Sequence, residues 1–243
     1  MFSMKNVVIR VDVDTPTDSL ILNKLKLTSR YLSYLFNVFD LSREYGIKMT
    51  FMFRVPYTLP PDDIVQNIKE IDGEVALHSE GYSENEIIRE KRLLEARTGE
   101  VFGVSYHGCD LDDHILYKLT GNRRIILASG TPFHSMLAGF KYHACGYCEK
   151  PTYLKFGDRS IMVFPGSLTL DHAPIEEVKE FLEKESLPVL MFHPNYLKPY
   201  GFRKPTLPAI RQIFHYINKM DYETKTFKDM YLQLVDCGNV EMV

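Results

Sequence analysis

The sequence predicts an α/β fold, because short apolar runs alternate with amphipathic helical segments from one end to the other, the arrangement of repeated βα units around a parallel sheet. Two further observations agree. A chain of 243 residues with 45% hydrophobic side chains is long enough for one large core. No repeat, low-complexity tract or linker divides it, so residues 1–243 read as a single domain.

Seven runs read as strands: Val7 to Val13, Lys48 to Val55, Glu74 to His78, Val101 to His107, Arg124 to Ser129, Ser160 to Phe164, and Pro188 to His193. The helices between them have readable ends. The first runs from about Ser19 to Tyr45, carries Leu25, Leu32, Leu35 and Phe39 near helical spacing, and closes at Gly46. Pro60-Pro61-Asp62-Asp63 opens a short second helix. Ser83-Glu84-Asn85-Glu86 has the form of a capping box, a hydroxyl at the cap and a carboxylate three residues on, and Gly99 closes that helix. A shorter helix spans about Leu111 to Leu119. Pro174-Ile175-Glu176-Glu177 begins another with acids at its positive end. Two more cover about Pro208 to Met220 and Thr226 to Val235. The segment from Thr131 to Lys155 shows no period and reads as a long loop over one face of the barrel, of the kind that often contributes to a site.

Composition removes several classes of function. With 29 basic against 32 acidic residues the net charge is −3, and the basic residues are scattered, so no stripe suits nucleic acid or an acidic membrane surface. No apolar run approaches the ~20 residues needed to cross a bilayer, and Met1 to Lys5 lacks a signal-type core, which predicts a cytoplasmic protein. Cys109, Cys145, Cys148 and Cys237 are too few for a disulfide scaffold. His143-Ala144-Cys145-Gly146-Tyr147-Cys148 has the spacing of half a zinc knuckle, but no second Cys-x-x-Cys completes it, and reduced thiols in a loop are the expectation.

The chemistry gathers where the apolar runs stop. In a parallel barrel the loops after the strands converge on the axis, so polar residues there form the site. The first run ends in Asp12 and Asp14, which alternation puts on one side of the strand, where they repel unless a cation or a shared proton intervenes. The second ends in Arg54, the third in His78 with Glu80, the fourth in Tyr106 and His107, and the last in His193 with Asn195, beside the rigid Pro194.

These residues, in this order, resemble the polysaccharide deacetylases, carbohydrate esterases that remove acetyl groups from N-acetylated sugars. Val11-Asp12-Val13-Asp14-Thr15-Pro16 is similar to the family's opening Thr-Phe-Asp-Asp-Gly-Pro. Met49-Thr50-Phe51-Met52-Phe53 matches its Ala-Thr-Phe-Phe, and Gly73-Glu74-Val75-Ala76-Leu77-His78-Ser79 its Gly-His-Glu-Ile-Gly-Leu-His-Ser. Val104-Ser105-Tyr106-His107-Gly108 stands where the family has Arg-Pro-Pro-Tyr-Gly. Val189-Leu190-Met191-Phe192-His193-Pro194 matches the last motif, an apolar strand ending in a catalytic histidine. The resemblance implies a single distorted (β/α)7 barrel with parallel strands and a metal-dependent deacetylase. It also implies Asp12 as general base, Asp14 and His78 as metal ligands, and His193 as general acid.

One departure is specific. The family's second ligating histidine lies four residues after the first, and here that position is Tyr82. Either His107 supplies the third ligand, or Glu80 supplies an oxygen, or the barrel is degenerate and binds a glycan or partner protein without catalysis. A catalytic zinc needs three protein ligands and an open position, and His107 is favoured because an unusual histidine stands at a strand end where the usual one is absent. Zinc is the expected metal, with cobalt or nickel as alternatives. Arg54, Tyr106 and Asn195 are the expected substrate contacts, and Tyr142 and Tyr196 offer further aromatic platforms for a carbohydrate or other small-molecule substrate.

Overall fold

The computed structural model describes residues 5–14, 32, 34–55, 57–81, 83–107, 130–146, 148–171, 173–194, 207–237 and 241–242. In chain order the strands are β1 (Asn6–Val13), β2 (Thr50–Arg54), β3 (Glu74–Ser79), β4 (Gly103–Tyr106), β5 (Tyr142–Gly146), β6 (Thr152–Phe156), β7 (Arg159–Pro165), β8 (Leu168–Thr169), β9 (Val189–Phe192), β10 (Glu223–Lys225) and β11 (Glu241–Met242). The helices are α1 (Tyr34–Tyr45), α2 (Asp62–Glu70), α3 (Glu84–Thr98), α4 (Thr131–Leu137), α5 (Ile175–Lys184), α6 (Leu207–Lys219) and α7 (Phe227–Cys237).

Seven strands, in the order β7-β5-β4-β3-β2-β1-β9, pair in parallel and curl into most of a barrel. Among the described residues no ladder joins β7 to β9. The two-residue β8 instead adds to β9, so the ring is left open there. Outside the ring, β6 returns antiparallel to β7 through a two-residue turn in which Gly157 takes φ +59°, and β11 extends that edge.

Alternation sorts the side chains into two layers. Val7, Ile9, Val11, Phe51, Phe53 and Leu77 face outward under the helices. Val8, Met52, Ala76, Tyr142, Ala144, Met162 and Phe164 face the barrel interior, whose lower end is plugged by Phe227 and Met230 of α7. Complete burial of one such large apolar side chain contributes roughly 1.5–3 kcal/mol.

Six of the seven expected strands form where expected, and α2, α3, α5, α6 and α7 begin and end close to their sequence signals. The capping box is present: Ser83 Oγ accepts from the Glu86 N–H, and the Glu86 carboxylate accepts from the Ser83 N–H at 3.1 Å. The expected strand at Arg124 to Ser129, the helix at Leu111 to Leu119 and most of the first helix before Tyr34 lie outside the described residues. The segment Thr131 to Lys155 is not a loop. It holds α4, β5 and most of β6, and β5 is the fifth strand of the ring. Tyr142-His143-Ala144-Cys145-Gly146 shows no apolar run because the interior takes Tyr142 and the small Ala144, while His143 is satisfied in the outer layer by Ser135. Pairing with β4 and β7 on both sides overrides weak local preference.

Candidate active site

The interior face of the barrel turns from apolar to charged on passing up the strands. Along β1 and one residue beyond, the face runs Val8, Arg10, Asp12, Asp14, and along β3 and one residue beyond, Glu74, Ala76, His78, Glu80. Ser105 and His107 follow on β4 and just beyond it. His193 comes one residue after β9.

Asp14 is the centre. Its Oδ1 lies 3.5 Å from His78 Nε2, and its Oδ2 lies 3.4 Å from His107 Nε2 and 3.5 Å from His193 Nε2. Asp14, His78 and His107 each offer one ligand atom, all within 4.8 Å of one another. Asp14 Oδ1 is also buried with no hydrogen-bond partner among the described residues. A buried acceptor without a donor is rare in native proteins, and an ion is one of its ordinary explanations. Burial works against ionising Asp14, but contacts from His107 and His193 and the nearby His78 outweigh it, and the carboxyl is held well below its usual range.

The second nitrogens of His78 and His193 are hydrogen-bonded, and that of His107 faces a carboxylate. His78 Nδ1 is 2.7 Å from Ser105 Oγ, which accepts from Arg10 Nη2 at 3.1 Å and donates to Met52 Sδ at 2.9 Å. The direction of the bond between His78 Nδ1 and Ser105 follows the tautomer; with the proton on Nδ1, Ser105 accepts and the Nε2 lone pair faces Asp14. Burial, only partly offset by Asp12 and Asp14, lowers the His78 pKa to about 4, so the ring is neutral at pH 7 as a ligand must be. His107 Nδ1 faces Glu80 Oε1 at 3.5 Å. His193 Nδ1 pairs with Asp171 Oδ2, and its backbone N–H donates to Asp171 Oδ1 at 3.1 Å. Burial alone would lower the His193 pKa, but Asp14 and Asp171, with the charge of Asp12, raise it to about 10.

Asp12 and Asp14 share a face, as the sequence requires, yet their surroundings differ. Asp12 accepts from Arg10 Nε on one oxygen and from Arg10 Nη2 on the other, both at 2.6 Å, in a buried forked pair. Asp12 Oδ2 is 3.8 Å from His78 Nε2, at the rim of the same cluster.

The structure thus brings together Asp12, Asp14, His78, His107 and His193. Arg54 is close by but bound to Glu80, with Nε–Oε1 at 2.6 Å. Tyr106 is not part of the cluster. Ser105 and His107 take the interior, so alternation sends Tyr106 to the outer layer, where its ring tilts against His143 and its hydroxyl meets Ser135 at 3.3 Å. Tyr142 is no platform either. It is fully buried at the opposite end of the strands and donates to Glu74 at 2.8 Å. Asn195, Tyr82 and Tyr196 lie outside the described residues. Of the half knuckle, His143 Nδ1 meets Ser135 and Cys148 Sγ meets the Val163 carbonyl at 3.5 Å, while the Cys145 side chain lies outside what the structure describes. Sequence reasoning missed Asp171, Arg10 and Ser105, each of which contacts a member of the cluster.

No protein-family profile matches the sequence, and no curated protein matches it. The solved structures do. A Mycobacterium smegmatis protein described as a polysaccharide deacetylase superposes with a TM-score of 0.73 at 16% identity, covering 100% of this chain and 95% of that one. The chain has the polysaccharide deacetylase fold. PuuE allantoinase shares it, with a TM-score of 0.67, 12% identity and coverage of 95% of this chain and 90% of its own. So does a family 4 acetyl xylan esterase from Clostridium thermocellum solved with a cobalt ion, with a TM-score of 0.56, 14% identity and coverage of 94% and 91%. A CE4 family pseudoenzyme from Bacillus anthracis also has it, with a TM-score of 0.52, 12% identity and coverage of 94% and 66%. The polysaccharide deacetylase fold therefore accommodates both active and inactive sites, and the residues must decide. Among the described residues no helix is long and apolar enough to cross a membrane.

Proposed function

We propose that this protein is a metal-dependent hydrolase that removes an acyl group, acetyl foremost, from the amide nitrogen of a sugar or small molecule. The observation that carries the proposal is the meeting of Asp14, His78 and His107 around a buried carboxylate oxygen that has no donor among the described residues. Two imidazoles and a carboxylate suit zinc, with cobalt or nickel as alternatives. When bound, a divalent ion there supplies Lewis acidity, polarising the acyl carbonyl and making water easier to deprotonate.

The chain's own residues supply the rest. Asp12 receives the proton of the attacking water, its carboxylate fixed in direction by the Arg10 fork. His193, anchored through Nδ1 to Asp171, presents Nε2 to the cluster and gives its proton to the departing amine. Like the aspartate of a catalytic triad, Asp171 orients the ring and favours its charged form.

A second reading, a barrel that binds a glycan or partner without turnover, draws support from Tyr82 at the family's usual ligand position and from the pseudoenzyme neighbour. Metal analysis with turnover assays on acetylated sugars and simple amides separates the two. Near-stoichiometric metal is expected, lost in His78→Ala and kept in His193→Ala, with turnover in the latter down at least roughly a hundredfold. Absence of metal after reconstitution selects the binding module, and full activity in both variants overturns the assignment of these histidines.

A further inference from the structure

With Tyr82 at the usual ligand position, the site relies on His107, a residue from a different strand. A ligand taken from a new place needs its ring direction and tautomer set anew, because metal-binding imidazoles are held through their second nitrogen. Glu80 stands where this is done. Its backbone is pinned from α3: the Glu90 carboxylate accepts from Ser79 Oγ at 2.5 Å and from the Glu80 N–H at 3.3 Å, and the Gly81 N–H donates to Ser79 Oγ at 3.1 Å. The first turn of α3 presses on this bend, so that a Cβ on Gly81 would lie 2.9 Å from Glu86 Cβ. The Glu80 side chain is fixed in turn by Arg54, which donates to Oε1 through both Nε and Nη2. Arg54 is itself buried and stacked over Tyr57, 5.1 Å from the ring centre.

Thus fixed, Glu80 Oε1 faces His107 Nδ1 at 3.5 Å, while Nε2 on the far side of the ring faces Asp14. Both neighbours are carboxylates and each attracts an N–H; a cation on Asp14 removes its claim on the proton and leaves Glu80 as the group that draws it. We propose that Glu80, held by Arg54, is a positioning residue that keeps the proton of His107 on Nδ1 and so offers the Nε2 lone pair to a divalent cation. The proposal rests on the metal reading of the site. It makes Glu80 neither a ligand nor Arg54 a substrate contact: to reach the cation, Glu80 would have to abandon a buried guanidinium. His78 is held in the same sense by a neutral partner, Ser105.

Two measurements on the full-length protein test this. In the metal-free protein at alkaline pH, imidazole 15N shifts report the tautomer. His107 is expected to hold its proton partly on Nδ1 in the wild type, against the pull of Asp14, and wholly on Nε2 in Glu80→Ala. Zinc affinity, read by chelator competition, is expected to fall about 10- to 100-fold in Glu80→Ala. It should fall less in Glu80→Gln, whose amide oxygen can still accept from Nδ1–H, and by an intermediate amount in Arg54→Lys. On a His107→Ala background Glu80→Ala should add nothing, since it acts through that ring. A wild-type His107 found wholly as Nε2–H overturns the proposal, as does an equal loss of zinc affinity with and without His107. If zinc binds and the tautomer ignores Glu80, the positioning role fails and the metal reading stands. If the tautomer responds but the wild type takes no zinc, the metal reading fails and the hold on the ring stands.

Discussion

Glu74 and Glu80 stand on the same face of one strand line, at opposite ends of the barrel, and they have opposite company. Glu80 is bound by a guanidinium and borders the imidazole cluster. Among the described residues Glu74 receives uncharged donors, the Tyr142 hydroxyl at 2.8 Å, Thr50 Oγ1 at 3.0 Å and the Lys228 N–H at 2.9 Å. Burial pushes its pKa up to about 7, although these hydrogen bonds and the Lys228 charge oppose the shift. The lower carboxyl therefore serves as a latch that ties α7 to the barrel floor, while the upper one belongs to a set of paired charges. Depth alone does not make a buried acid functional. What matters is whether its partners can also change charge or release a lone pair.

The contrast can be broken from the floor upward. The largest effect is expected for Gly103→Ala. A Cβ there would lie 1.8 Å from Cζ of Tyr142, so the phenol must leave and its bond to Glu74 is lost with it. Urea unfolding should show a loss of about 4 kcal/mol, overpacking combined with a broken buried hydrogen bond.

Next comes pH. The folded pKa of Glu74 is raised, so the native state keeps a proton that the unfolded chain releases. The stability that this acid contributes is complete below about 4.5 and falls as pH rises to about 7, by about 3 kcal/mol. Glu74→Gln should remove that slope from stability measured at pH 5 and pH 8. A slope that persists would assign it to another group. The smallest effect is at the cap of the same helix. Thr226 Oγ1 accepts from the Asp229 N–H at 3.0 Å and Asp229 accepts from the Thr226 N–H at 3.2 Å, so Thr226→Ala should cost about 1 kcal/mol by thermal unfolding.

The two ends also differ in how readable they were. Strand ends such as Asp14, His78 and His193 announced themselves because each interrupts an apolar run. Residues that act at second hand gave no such signal. Asp171 precedes Pro174 and looks like one more acid at the start of α5, and only the fold sets it beside His193, twenty-two residues on. Arg10 sits inside an apolar run and reads as an irregularity until its fork on Asp12 is seen. Tyr106 lies in the outer layer, away from the cluster, and proximity in sequence says nothing of the face until the register is known. β5 was missed because its residues serve two unlike layers, an interior needing a small Ala144 and an outer layer holding a polar His143.

The open seam between β7 and β9 carries a consequence of its own. In a fully laddered ring the N–H of a residue just beyond a strand is apt to be claimed by the next strand. Here β8 withdraws after two residues, and the chain that follows delivers Asp171, which takes both the N–H and the ring of His193. The missing length of strand is what gives the acid its handle. An engineered insertion that completed the cylinder would tidy the hydrogen bonding at the cost of the group that aims His193.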